Sequence, residues 1–105
     1  MTPLSPNFTL EEFVHSEVAT RKGIDNTPPA DVLANLHELA TQMEKVRDLL
    51  GEAIHINSAY RSPKVNAAVG GASTSAHMTG QAVDFICPAF GTPLEVAIEI
   101  AASDI

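Results

Sequence analysis

Ser75-Ala76-His77-Met78-Thr79-Gly80-Gln81-Ala82-Val83-Asp84 is the stretch around which the rest of the chain is organised. It sets a histidine and an aspartate seven positions apart, with a glycine between them, at the mouth of a strand expected over Gln81 to Ile86. Gly80 lets the backbone turn sharply from loop into strand. On such a strand Ala82, Asp84 and Ile86 share one face, and the small Ala82 leaves room beside the carboxylate. Imidazole nitrogen and carboxylate oxygen together suit zinc. Ser75 precedes His77 by two positions, within reach of a ligand shell. On the residues alone, the same pair also fits a surface-loop histidine and a solvated aspartate at a strand edge, and both readings stand at this point.

Working upstream, Ile54-His55-Ile56-Asn57-Ser58 alternates in polarity and reads as a second strand. Ile54, Ile56 and Ser58 take one face, His55 and Asn57 the other. Tyr60-Arg61 follows it. Ser62-Pro63 supplies a cap and a first-turn proline for a short helix through Val69, ended by Gly70-Gly71. Residues 72–80 form a loop rich in Ser, Thr and Gly. Arg61 lies between a strand and a capped helix, where its guanidinium either aims into a cleft to bind a carboxylate in bidentate fashion or makes a surface salt bridge. Tyr60 fits a core position or a pocket wall.

Further back, residues 1–7 carry two prolines and no periodicity, and read as a lead-in. Thr9 and Glu12 form a capping box, and Phe8 and Phe13 stand where a hydrophobic staple requires them. Ser16 opens a second short turn that Gly23 closes. Thr27-Pro28 starts the longest helix, in which Val32, Leu36, Leu39, Met43, Val46 and Leu50 recur at spacings of four and three and define one core-facing stripe. Gly51 stops it. Downstream of Asp84, Cys87 reads as a small buried residue. Thr92-Pro93-Leu94-Glu95 is another capping box, opening a helix toward Ala102. No repeat, low-complexity segment or linker divides the 105 residues, so one domain is expected. The class is α+β, with N-terminal helices packed on a small antiparallel sheet. Two strands alone make a poor sheet, so either a strand escapes the reading or the domain lacks one or more C-terminal strands.

Composition narrows the partners. Hydrophobic residues at 45% and charged residues at 18% mark a globular domain. A net charge of −7 argues against nucleic acid. With Cys87 as the single cysteine, an intrachain disulfide and a thiolate zinc cluster are excluded. No apolar run approaches the roughly 20 residues of a membrane span. The first residues lack the pattern of a signal peptide, which predicts a chain that stays in the cytoplasm where it is made, or a phage-type protein released onto the cell wall by other means.

Taken together, Ser58-Ala59-Tyr60-Arg61-Ser62-Pro63, Asn66, Val69-Gly70-Gly71 and Ser75-x-His77-x-x-Gly80-x-Ala82-x-Asp84 resemble the zinc D-alanyl-D-alanine carboxypeptidase and L-alanyl-D-glutamate endopeptidase family. These are peptidoglycan hydrolases of bacteria and phages with a hedgehog-like α+β fold. The resemblance is continuous over residues 54–84. It extends more loosely back to Phe8, because Asn7-Phe8-Thr9-Leu10-Glu11-Glu12-Phe13 before a long helix is similar to one small branch of the family. It implies His77 and Asp84 as zinc ligands, and Arg61 as the arginine that holds substrate or stabilises a developing oxyanion. Ser75 is implied as a substrate or outer-shell contact near the metal, with Tyr60 beside them. Asn66, Gly70 and Gly71 are implied to be structural. The implied substrate is a peptidoglycan peptide, and the implied reaction is amide hydrolysis by metal-activated water, with a carboxylate as base.

The sequence departs from that family in one respect. Its members carry a third zinc ligand, a histidine on a later strand, and no histidine follows His77 here. Three explanations are open: a truncated chain, a ligand from another chain through domain swapping, or substitution by His55. His15 and His37 read as surface residues. Glu95 reads as the capping-box residue and Glu99 as solvated. Beside the peptidase stand two other possibilities of the same fold, a non-catalytic domain binding cell-wall peptide or metal, and a phage structural protein.

Overall fold

A computed structural model describes residues 2–103. Its element order is β1 (Pro3–Ser5), β2 (Phe8–Thr9), α1 (Leu10–Val14), α2 (Glu17–Lys22), α3 (Ala30–Leu50), β3 (His55–Ser58), α4 (Pro63–Ala68), a 3₁₀ turn (Ala76–Thr79), β4 (Asp84–Ile86) and α5 (Pro93–Ala101). The architecture is α+β, as expected. The helices pack around two small antiparallel sheets, β1–β2 and β3–β4. α3 sets the dimensions: its 21 residues span about 32 Å, most of the 38 Å long axis.

Local rules account for most elements. Thr9 accepts the Glu12 amide while the Glu12 carboxylate accepts the Thr9 amide, closing the capping box that starts α1. Phe8 and Phe13 close the staple, both buried, with ring centroids 5.9 Å apart. The Ser16 hydroxyl caps α2, a short helix where a turn was expected. Ser62 caps α4 and Thr92–Glu95 boxes the start of α5, as anticipated. On α3, Val32, Leu36, Ala40, Met43, Val46 and Leu50 are buried and form the core-facing stripe, and Leu39 packs at its margin.

Three boundaries differ from the sequence reading. Residues 3–9 form a hairpin, with Pro3 opposite Thr9 and Ser5 opposite Phe8. Leu4 joins the core, and the Glu44 carboxylate on α3 accepts from the Ser5 hydroxyl (2.5 Å) and from the amide and side chain of Asn7 (2.7 and 2.6 Å). α3 begins at Ala30, after Pro29, with no side-chain cap. The reason is the Pro28-Pro29 pair, since a residue before proline is pushed out of the helical region. β4 begins at Asp84 instead of Gln81. A register irregularity between Ile56 and Ser58 sets Ser58 opposite Asp84, and residues 81–83 approach the sheet as loop. Ala82 therefore shares no strand face with Asp84. Cys87 is buried, as expected, and its thiol donates to the Ala53 carbonyl.

Candidate metal and substrate site

Three chain segments converge at the N-terminal end of β4. The first is Ala59-Tyr60-Arg61, which leaves the end of β3. Its amides are consumed on opposite sides: Tyr60 donates to the Phe13 carbonyl at 2.8 Å and Arg61 to the His77 carbonyl at 3.0 Å. The second is the 3₁₀ turn carrying His77. The Ser75 hydroxyl accepts the His77 amide at 3.2 Å, so this serine orients the turn. Gly80 closes the turn at φ 74°, and a Cβ there would meet Leu36 and Val32 at 3.1 Å. Glycine is needed at this position both for the left-handed backbone and for the close approach to α3. The third segment is β4, whose first residue is Asp84.

His77 is nine-tenths buried, and its Nδ1 lies 2.6 Å from the Ala59 carbonyl. A carbonyl oxygen only accepts, so the proton of the neutral ring is on Nδ1 and the lone pair is on Nε2. That Nε2 stands 3.4 Å from Oδ2 of Asp84. A carboxylate also presents lone pairs, so the two atoms face each other stably only with a proton or a cation between them. Two ligands on tetrahedral zinc, each at roughly 2.0–2.1 Å, are about 3.3 Å apart. The pair thus has the separation of two ligands on one ion. The ring is held in the way usual for such histidines, by a backbone carbonyl on the other ring nitrogen. The Asp84 side chain is largely open to solvent, which leaves the approach clear.

A cleft of about 520 Å³ opens beside the pair. Arg61, Asp84, His55 and Asn57 line one side of it, and His15 and Glu17 come from the junction of α1 and α2. Within this cleft region Arg61 Nε is buried with no hydrogen-bond partner. A buried, unpaired guanidinium N–H is costly, and a carboxylate or a carbonyl oxygen of a bound molecule would satisfy it.

The five residues singled out in the sequence separate into two groups. His77, Asp84 and Arg61 come together, and Ser75 supports them through the backbone. Tyr60 is 3% exposed and belongs to the core. Burial, followed by the charges of Asp25 and Asp31, pushes its phenol above the usual range. His15 is exposed, as the sequence reads it, but it is not remote: it lines the same cleft as Arg61. Neither His15 nor His55 completes the pair: among the described residues no group of three His, Cys, Asp or Glu side chains is placed to hold a metal ion. His37 and Glu99 are exposed. Glu95 caps α5, and its two bonds from Thr92 lower its pKa. Asn66 is buried at 3% exposure and donates to the Ala72 carbonyl at 2.8 Å, tying α4 to the loop before the 3₁₀ turn. Asn26, read in the sequence only as part of a loop, also bonds to this region; only its run of turn-forming neighbours, Asp25 to Pro29, set it apart.

An α+β domain with this donor pair beside an arginine-lined cleft has the makings of a metal-assisted hydrolase. The family model described as Peptidase M15 matches residues 6–100, and the chain belongs to that family of metallopeptidases. Comparison with curated proteins and with solved structures found no match. No helix among the described residues is long and apolar enough to cross a membrane.

Proposed function

We propose that the protein is a zinc-dependent peptidase that hydrolyses amide bonds in peptidoglycan stem peptides, of the D-Ala-D-Ala carboxypeptidase or L-Ala-D-Glu endopeptidase type. One observation carries the reading: His77 Nε2 and Asp84 Oδ2 stand 3.4 Å apart, with the far ring nitrogen, Nδ1, 2.6 Å from the Ala59 carbonyl. Both residues fit zinc as ligands. When bound, the ion supplies Lewis acidity to a carbonyl and acidity to a water.

The remaining roles fall to the chain itself. The Ala59 carbonyl and the Ser75 hydroxyl fix the His77 ring and backbone. Arg61 offers a permanently charged guanidinium beside Asp84, suited to a substrate carboxylate or to the oxygen that gathers charge as water adds to the amide carbon. The cleft between β3 and the α1–α2 junction is the place for the peptide. A third protein ligand and the general base are assigned, within this proposal, to residues outside the described ones or to a second chain, because catalytic zinc sites ordinarily use three protein ligands. The absence of a three-ligand cluster among the described residues favours a second reading, a domain of the same fold that binds cell-wall peptide without cutting it.

The deciding experiment pairs zinc titration with digestion of purified peptidoglycan, products being read by mass spectrometry, for the wild type and His77→Ala. Stoichiometric zinc and peptide release in the wild type, both lost in the variant, support the peptidase. Zinc and peptide binding without release support the binding domain. Equal, sub-stoichiometric zinc in both proteins would remove the metal reading altogether.

A further inference from the structure

We propose that Asn26 is the positioning residue for Arg61. Its half-buried carboxamide reaches across more than thirty positions of sequence and makes three hydrogen bonds. Nδ2 donates to the carbonyls of Val14 (2.7 Å) and Tyr60 (3.3 Å), and Oδ1 accepts the Ser62 amide (2.8 Å). The last two bonds bracket Arg61. The peptide unit before its Cα is fixed at the oxygen by Asn26 and at the nitrogen by the His77 carbonyl, 3.0 Å away. The peptide unit after its Cα is fixed at the nitrogen by Asn26. Peptide units are planar, so holding both leaves the φ and ψ of Arg61 no freedom and sets the direction in which its side chain departs. The Val14 bond anchors the same carboxamide to the end of α1, beside the cleft wall that carries His15 and Glu17.

No other side chain meets this demand. Asp supplies the acceptor and no donors. Ser has one donor, and Gln carries the same groups one methylene too far out. Arg61 lines the cleft, so its direction has chemical consequence: it determines where a ligand oxygen must sit to meet the guanidinium. The inference rests on the reading of Arg61 as the residue that meets substrate, but the clamp itself is measurable without turnover.

The test uses the full chain in four forms: wild type, Asn26→Ala, Arg61→Ala and the double variant. Asn26→Asp, which preserves volume and the acceptor for Ser62, covers the case in which Asn26→Ala does not fold. Two NMR readouts are independent of activity. In Asn26→Ala the Ser62 amide is expected to exchange with solvent about tenfold faster or more, with α3 core amides unchanged. In both Asn26 variants the HN–Hα coupling of Arg61 is expected to move toward the averaged value of a free chain. In the zinc-loaded protein, kcat on stem peptide is expected to fall about tenfold or more in Asn26→Ala, with zinc affinity within about twofold. The same change is expected to have no further effect in the Arg61→Ala background. An unchanged Arg61 coupling in a folded Asn26 variant overturns the proposal, as does a full additive loss in the double variant. Absence of turnover in the wild type would count against the peptidase reading and leave the exchange and coupling data to decide the clamp.

Discussion

Asp84 and His77 illustrate how much of the geometry of a side-chain pair is set by groups outside the pair. The ring of His77 is turned by a backbone carbonyl from the end of another strand, and its main chain by a serine two residues back. His77→Ala should therefore have two separable effects. It removes a ligand, so zinc binding at micromolar metal is lost in competition with a chelating dye. It also strands the Ala59 carbonyl in a buried place, costing about 1–3 kcal/mol in chemical denaturation. Asp84→Asn should lose zinc affinity with little change in stability, because the carboxylate is mostly solvated. At this scale the sequence singled out His77, Asp84 and Arg61 through a family resemblance, and the structure brings the three to one place. The sequence was silent where a role depends on distant main-chain partners. Nothing local to Asn26 says that it meets residues 60 and 62, and nothing local to Tyr60 separates a pocket wall from the core it occupies.

Among the elements, the N-terminal hairpin depends most on a single side chain. Glu44 is only lightly buried, and that burial raises its carboxyl. The bonds from Asn7 and Ser5, with the nearby charge of Arg47, outweigh it and hold the group below its ordinary value near 4.5. A carboxyl lowered on folding contributes stability that is present above its unfolded value and lost as pH falls through the folded one. The β1–β2 amides should therefore lose exchange protection on acidification through the lowered range of this carboxyl, below its ordinary value, before those of α3. Glu44→Ala should do the same at neutral pH, for about 1 kcal/mol. The loop before the 3₁₀ turn is constrained by packing instead. A Cβ on Gly71 would lie 2.1 Å from Asn66 Oδ1 and 2.8 Å from its Cγ. Gly71→Ala must then displace the Asn66 side chain from the Ala72 carbonyl, and a loss of about 1–3 kcal/mol by thermal or urea unfolding is expected. Caps and stripes were legible because their partners lie within one or two turns. The hairpin was not: Ser5 is paired with a carboxylate 39 positions on. The late start of β4 was equally hidden, because it depends on a register irregularity in the opposite strand.

For the molecule as a whole, the core and the site share a wall. Leu36 is fully buried at the centre of the α3 stripe and, with Val32, touches the backbone turn at Gly80 that carries His77 to its place. Leu36→Ala should cost about 2–5 kcal/mol. It should also loosen zinc binding in the fraction that remains folded, which a zinc titration at low temperature would reveal. A surface change on the same helix, such as His37→Ala, should alter neither by a measurable amount. The α+β class was readable from periodicity, in the long amphipathic stripe of α3 and the alternating Ile54 to Ser58 run, but the strand that α3 packs on most is β1, in the hairpin that the sequence reads as a lead-in.

The manner in which Arg61 and His77 are held has a consequence for how such a protein can change. Their placement depends on main-chain groups met by a few side chains: the Ala59 carbonyl meets the His77 ring, the Ser75 hydroxyl meets the His77 amide, Asn26 meets the Tyr60 carbonyl and the Ser62 amide, and the Arg61 amide meets the His77 carbonyl. The other side chains that line the cleft, at His15, Glu17, His55, Asn57 and Val69, contribute nothing to that scaffold. Ancestry can therefore vary the mouth while inheriting the reactive end intact. A saturation library at those five positions should keep zinc binding in most of its members and differ among them in which peptide is accepted. Such drift would let one small domain take up different peptides around an unchanged centre.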